Sequence, residues 1–176
     1  MTEASLHDMI PTWVDGVLTP FEKLAAHEQG LQHKAVSVFL ICDGKILIQQ
    51  RALGKYHTPG LWANTCCTHP LWEETSRDCA VRRLNDELGI SGVVPEFRKQ
   101  VSYHAEVGGG LIENEVVDIF VSEVGSDLQV VPNPDEVMDT RWVTLADLKD
   151  EIAAQPEKFT PWLRIYLRDH EELLEI

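Results

Sequence analysis

Glu113 and Glu115 lie two residues apart in a stretch patterned as a β-strand, so their carboxylates face the same way. Two bare carboxylates that close repel strongly unless a cation or a proton lies between them. His27, His33 and His69 are the natural nitrogen donors to complete such a group. An imidazole and carboxylate set suits Mn2+, Zn2+ or Mg2+ rather than a soft-metal cage. His69 closes the run Asn64-Thr65-Cys66-Cys67-Thr68-His69-Pro70, where a soft thiol, an imidazole and a turn stand side by side. The ordinary alternative is exposed glutamates and scattered histidines, and spacing alone does not select all three imidazoles.

A second group is cationic. Arg51 ends a predicted strand, Lys55 follows four residues later, Arg83 comes from a predicted helix, and Lys23 joins from another. Guanidinium groups fork onto phosphate oxygens and lysines act as point charges. Glu87 is suited instead to hold a Mg2+ that bridges phosphates. The alternative is surface cations and a helix salt bridge. A third group is an acid/base pair: Cys67 as proton donor or acceptor, Glu115 across from it, and Tyr103 assisting proton delivery. Trp62 offers a π face to a cationic centre. Read singly, these are a buried cysteine, a core tryptophan and a strand tyrosine. Cys42, Cys66 and Cys79 read as packing residues and Glu74 as structural. His7, His57, His104 and His170 receive no role. No G-x-S-x-G, Walker loop or dinucleotide-binding glycine fingerprint is present.

These groups need elements to hold them. Residues 1–18 read as irregular, punctuated by Pro11 and Gly16. Thr19-Pro20-Phe21-Glu22 reads as a helix start with a capping box, stopping near Gly30, and Lys23 and His27 share one side of it. Residues 35–42 and 45–50 read as strands joined at Asp43-Gly44. Residues 52–72 read mostly as loop. Thr75 opens a central helix with core stripe Ala80, Val81, Leu84 and Leu88, and Gly89 ends it. Arg83 and Glu87 share another side of that helix. Strands follow at about 93–106 and 112–123, split by Gly108-Gly109-Gly110, with another around 140–143. Thr144 and Asp147 cap a short helix, and Thr160-Pro161 opens a last one reaching about Leu174. Strands before and after a central helix, with helices late, predict an α/β sandwich.

The chain has 176 residues, 44% of them hydrophobic and 25% charged. One domain over residues 1–176 is expected. No apolar run approaches the roughly 20 residues that span a bilayer, and no export signal is evident. A reducing cytoplasm is therefore expected, with the four cysteines as free thiols. A net charge of −14 disfavours nucleic acid and anionic membranes. A small anion remains compatible, because a local knot of cations or a metal reverses the field at short range.

Six residues after Thr68 stands Glu74, and Arg82-Arg83-Leu84-Asn85-Asp86-Glu87-Leu88-Gly89-Ile90 follows. The spacing resembles the Nudix box, G-x5-E-x7-R-E-U-x-E-E-x-G-U, with U a bulky aliphatic. Thr68 stands at the first glycine, Arg83 replaces the glutamate of the R-E pair, and Asp86 replaces another. A cation at that position suggests a site that grips a diphosphate without cutting it. Together with Glu22-Lys23-Leu24-Ala25-Ala26-His27, Arg51-Ala52-Leu53, Pro59-Gly60-Leu61-Trp62-Ala63-Asn64, Cys67-x-His69-Pro70, Glu113-Asn114-Glu115-Val116 and Asp135-Glu136-Val137-Met138, the chain resembles the type I isopentenyl-diphosphate isomerases, a Nudix branch, from about Thr19 to Trp162. The resemblance implies an α/β/α sandwich with mixed β-sheets and a central box helix. It implies one divalent metal on His27, His33, His69, Glu113 and Glu115. A Mg2+ would join the substrate diphosphate to Glu87 and the Cys67 carbonyl, with Lys23, Arg51, Lys55 and Arg83 on the phosphates. Cys67 and Glu115 would work on opposite faces of a five-carbon unit, and Trp62 would help stabilise a tertiary carbocation. The expected partner is a small prenyl diphosphate, bound by a monomer. The rivals are a Nudix hydrolase of nucleoside or sugar diphosphates, and a non-catalytic metal-binding module.

Overall fold

The computed structural model describes residues 8–175. Nine strands form one mixed sheet: β1 (Met9–Val14), β2 (Val17–Glu22), β3 (His33–Cys42), β4 (Lys45–Arg51), β5 (Trp62–Ala63), β6 (Cys66–Thr68), β7 (Glu96–Glu106), β8 (Ile112–Glu123) and β9 (Val137–Thr144). The helices are α1 (Lys23–Glu28), α2 (Ser76–Leu88), α3 (Leu145–Ala154) and α4 (Pro161–Asp169). Strand β3 is the organiser. It pairs in parallel with β8 from His33↔Glu115 to Ile41↔Glu123, and antiparallel with β6 at Ser37↔Cys67.

Alternation along β3 sends Ala35, Phe39 and Ile41 to one face and Val36, Val38 and Leu40 to the other. Both faces are buried, the first with residues of α3 and α4, the second with Cys79, Ala80, Leu84 and Leu88 of α2. That layering is the α/β/α sandwich predicted from the sequence. Cys79 takes the buried place expected for Val81, which is only half-buried. Thr75 caps α2, its hydroxyl accepting from the Asp78 amide at 3.1 Å. Gly89 ends it with φ 63°, and a Cβ there would meet the Val131 carbonyl at 2.8 Å. The four cysteines are free thiols, Cys42 being half-exposed rather than packed inside. Among the described residues no helix is long and apolar enough to cross a membrane.

The N-terminal region differs from expectation. Residues 1–7, with His7, lie outside the described residues. The rest of the stretch read as irregular forms the β1–β2 hairpin, turned by Asp15 and Gly16 at φ 50° and 81°. Pro11 sits opposite Pro20. Counting from the turn, that pair occupies a non-hydrogen-bonded position, so neither missing N–H costs a bond between the two strands. Thr19-Pro20 is thus strand, and α1 starts three residues later, capped by the Glu22 carboxylate on the Leu24 and Ala25 amides at 3.0 and 2.7 Å. The last helix also stops early. It ends at Asp169, and a separate 3-10 turn follows at Glu171–Leu174.

Candidate functional site

The face of the sheet covered by α4 carries the polar cluster. The register sets His33 of β3 beside Glu115 of β8, and Glu115 opposite Tyr103 of β7. On the other flank of β3, the period of two points Cys67 to this face and Cys66 to the α2 side. Helix α1 adds His27, and the chain leaving β6 adds His69. One ligand atom from each of His27, His33, His69, Glu113 and Glu115 lies within 4.8 Å of the others.

The orientation of these groups is specific. The His27 and His33 Nδ1–H groups meet the Lys23 and Leu31 carbonyls at 2.6 and 2.7 Å, which turns each Nε2 inward. Those nitrogens lie 3.2 and 3.5 Å from Glu113 Oε2 without hydrogen-bond geometry. All three atoms are buried and unpartnered, an arrangement that costs free energy unless something binds them. His69 Nε2 meets Glu115 Oε1 at 2.9 Å, and the Tyr103 hydroxyl donates to Glu115 Oε2 at 2.7 Å. Three imidazoles and two carboxylates fit a divalent ion of borderline or hard character.

The charges are tightly coupled. Burial, then the Glu113 charge, pushes Glu115 up to about 8. Burial pushes Glu113 upward as well, but contacts with His27, His33 and His57 hold it well below the usual carboxylate range. His33 is raised to about 10: burial opposes its charge, and the two glutamates outweigh that. Burial, then the neighbouring His27 and His33, pushes His69 well below the usual imidazole value. Burial, then Glu115, keeps the Cys67 thiol protonated well above its usual range.

The cavity over this cluster measures about 30 Å3 and is shared by Cys67, Glu115, Glu87 and the four expected cations, Lys23, Arg51, Lys55 and Arg83. Burial, then Lys55 and Arg83, lowers the Lys23 pKa, as expected for an ammonium crowded by cations. Arg83 Nη2 meets Glu87 Oε1 at 2.6 Å and Glu136 Oε1 at 3.4 Å, and Lys55 also pairs with Glu136. Gln49 donates to the other Glu87 oxygen at 2.8 Å. Glu74 is structural as expected, joined to Arg82 and the Leu71 amide.

Trp62 is not where the sequence suggested. Its ring lies 4.8 Å from the Arg141 guanidinium and lines a separate cleft with Glu151 and Phe159. Trp162 of α4 lines the cavity instead, its ring 5.3 Å from Arg51. The two are connected: the Trp62 carbonyl accepts from Thr160 N at 2.9 Å, and Trp62 bridges Phe159. Trp62 therefore anchors the start of the helix that presents Trp162. Three further residues received no role from the sequence, although Glu136 stands in one of the motifs that carry the resemblance. Ser37 bonds Cys67 Sγ at 3.2 Å and the Tyr166 hydroxyl at 3.0 Å. Glu136 separates two cations. His57 touches Glu113 at 2.9 Å.

Residues 31–163 match the NUDIX domain model. An isopentenyl-diphosphate Delta-isomerase from Cereibacter sphaeroides is 64% identical over 165 residues, covering 94% of this chain and 93% of the relative. One from Ruegeria pomeroyi is 62% identical, covering 94% and 92%. Among solved structures, the Nudix hydrolase RenU from M. smegmatis superposes with a TM-score of 0.60 at 19% identity, covering 94% of this chain and 92% of that one; it shares the fold. With this domain match and these relatives along nearly its whole length, the chain belongs to the isopentenyl-diphosphate Delta-isomerase family of Nudix-domain proteins.

Proposed function

We propose that the site interconverts isopentenyl diphosphate and dimethylallyl diphosphate, a step supplying isoprenoid precursors. The observation that carries this is the presence of Cys67 and Glu115 in one cavity with four cations. An unactivated alkene moves by gaining a proton at its terminal carbon, which leaves a tertiary carbocation, and then losing a proton from the neighbouring methylene. The reaction is reversible, so Cys67 and Glu115 exchange the parts of acid and base with direction. Each comes from a strand flanking β3, one on either side, which suits attack on two faces of a prenyl group. Tyr103 holds Glu115 and supplies a path for its proton. Water would capture the cation, so enclosure matters as much as acidity. Trp162, rather than Trp62, offers the π face.

Lys23, Arg51, Lys55 and Arg83 hold the diphosphate, and its distance from the alkene makes it an orienting handle. A divalent ion on His27, His33, His69, Glu113 and Glu115 would neutralise the paired carboxylates and hold Glu115 in place; Mn2+, Zn2+ and Mg2+ all suit the donors. Mg2+ carried with the diphosphate would meet Glu87 and the Cys67 carbonyl. Admission of substrate requires the lining to move apart, because a cavity of about 30 Å3 is far below the roughly 300 Å3 of small-ligand sites. The chain acts as one domain, a cytoplasmic monomer, on this reading. A hydrolase is the weaker alternative, since Arg83 sits on the box helix where a further carboxylate would serve metal-assisted cleavage.

Incubation with isopentenyl diphosphate tests the function. The expected product is the allylic isomer without released phosphate. A strong chelator should abolish turnover, and excess Mg2+ or Mn2+ should restore it. Released phosphate would mean a hydrolase, and turnover indifferent to chelation would remove the metal from the account.

A further inference from the structure

We propose that His57 is a positioning residue of the metal site, fixing the outer oxygen of Glu113 so that the inner one faces the imidazole cluster. This rests on the metal assignment made above. The geometry divides the Glu113 carboxylate in two. His27, His33 and His69 gather around Oε2 at 3.2, 3.5 and 3.9 Å. His57 Nε2 lies 2.9 Å from Oε1. Both side chains are buried, His57 at 5% and Glu113 at 2% exposure, so neither competes with water for the other.

His57 is not itself a ligand in this arrangement. Its Nε2 is engaged by Glu113, and its Nδ1 lies 3.0 Å from the Thr58 hydroxyl. The partners fix the tautomer: Nε2–H donates to the carboxylate and Nδ1 accepts from Thr58. No lone pair is left for a metal. Hydrogen bonds of this outer kind set the direction of a ligating carboxylate.

The backbone supplies an independent sign. Thr58 is β-branched yet has φ 45°, a left-handed conformation that such residues rarely adopt and that costs free energy. It places the Thr58 hydroxyl on the ring of His57. The His57 carbonyl also accepts from Arg51 Nη2 at 3.1 Å. One residue thus links a phosphate-gripping cation to the carboxylate of the metal cluster.

Mn2+ titration of the whole protein, read by the loss of free-ion EPR signal, provides the test. His57→Phe keeps a flat ring without a donor and should weaken Mn2+ binding about 10–100-fold. His57→Gln retains an amide N–H of similar reach and should recover most of that loss. Wild-type affinity in His57→Phe would overturn the proposal while leaving the metal assignment intact. Equal losses in both variants would show that shape rather than hydrogen bonding matters, which also overturns it. No Mn2+ binding by the wild-type protein would remove the metal assignment and this proposal together. Should His57→Phe fail to fold, Thr58→Val decides: an affinity loss of about 3–10-fold supports the relay, and no change overturns it.

Discussion

Cys67→Ala should lower the turnover of isopentenyl diphosphate by about 10²–10⁴-fold with little change in KM, the range for loss of a positioned acid/base. Alanine removes the sulfur that holds or accepts the proton and leaves the cationic grip intact. Glu115→Gln should fall at least as far. The amide matches the carboxylate in shape, but it neither exchanges a proton nor neutralises a cation, and Glu115 stands in the metal cluster as well. Cys66→Ala is the control. Cys66 is fully buried on the opposite side of the sheet, among residues of α2, so its loss should affect stability and leave turnover near normal. Steady-state kinetics on the three variants separate these outcomes. Normal turnover in Cys67→Ala would remove its assigned part.

Arg83→Glu should raise KM by about 10²–10³-fold, equivalent to about 3–4 kcal/mol. Arg83 already lies against Glu87, Glu136 and Asp86, the last at 3.8 Å. Reversing its charge subtracts one cation from the diphosphate grip and adds another carboxylate beside those three. Arg83→Gln, which removes the charge without reversing it, should show a smaller rise of about tenfold. Isothermal titration with a non-reacting diphosphate analogue checks both, with thermal melts reporting any loss of folded protein. Unchanged affinity in both variants would take Arg83 out of the phosphate site.

Much of the scaffold was readable because local chemistry and tertiary structure agree there. Asp43-Gly44 turns the β3–β4 hairpin at φ 49° and 71°, and Thr75 and Gly89 bound α2 as a cap and a left-handed stop. The period of two in β8 brings Glu113 and Glu115 to one face. The same turn signal, Asp15-Gly16, is present at the N-terminus, but Pro11 reads as punctuation of an irregular stretch and Pro20 as the first turn of a helix. Their mutual pairing, which makes them harmless, is a relation between two positions and has no local signature. Pro20 likewise resembled a helix start, whereas the cap is the Glu22 side chain folding onto its own helix.

The site shows the same division. Most residues given a role through a motif or the family resemblance converge on the cavity or on the metal cluster beside it, Trp62 excepted. What could not be read were contacts made across long stretches of chain. Which of Trp62 and Trp162 reaches the cavity depends on how α4 docks beside Trp62, a contact with no local signature. His57 lies in a glycine- and proline-rich loop without periodicity, so nothing local indicated that its ring reaches a carboxylate on β8. Ser37 lies on a strand rich in apolar residues, and its pairing with Cys67 depends on the β3–β6 register.

Incubation with isopentenyl diphosphate in D2O, followed by NMR, tests the central claim most directly. Transfer through exchangeable groups on a thiol and a carboxyl should place solvent deuterium in a methyl group of the allylic product while the diphosphate stays whole. Product free of deuterium after complete turnover, or pyrophosphate and phosphate appearing in its place, would contradict the account.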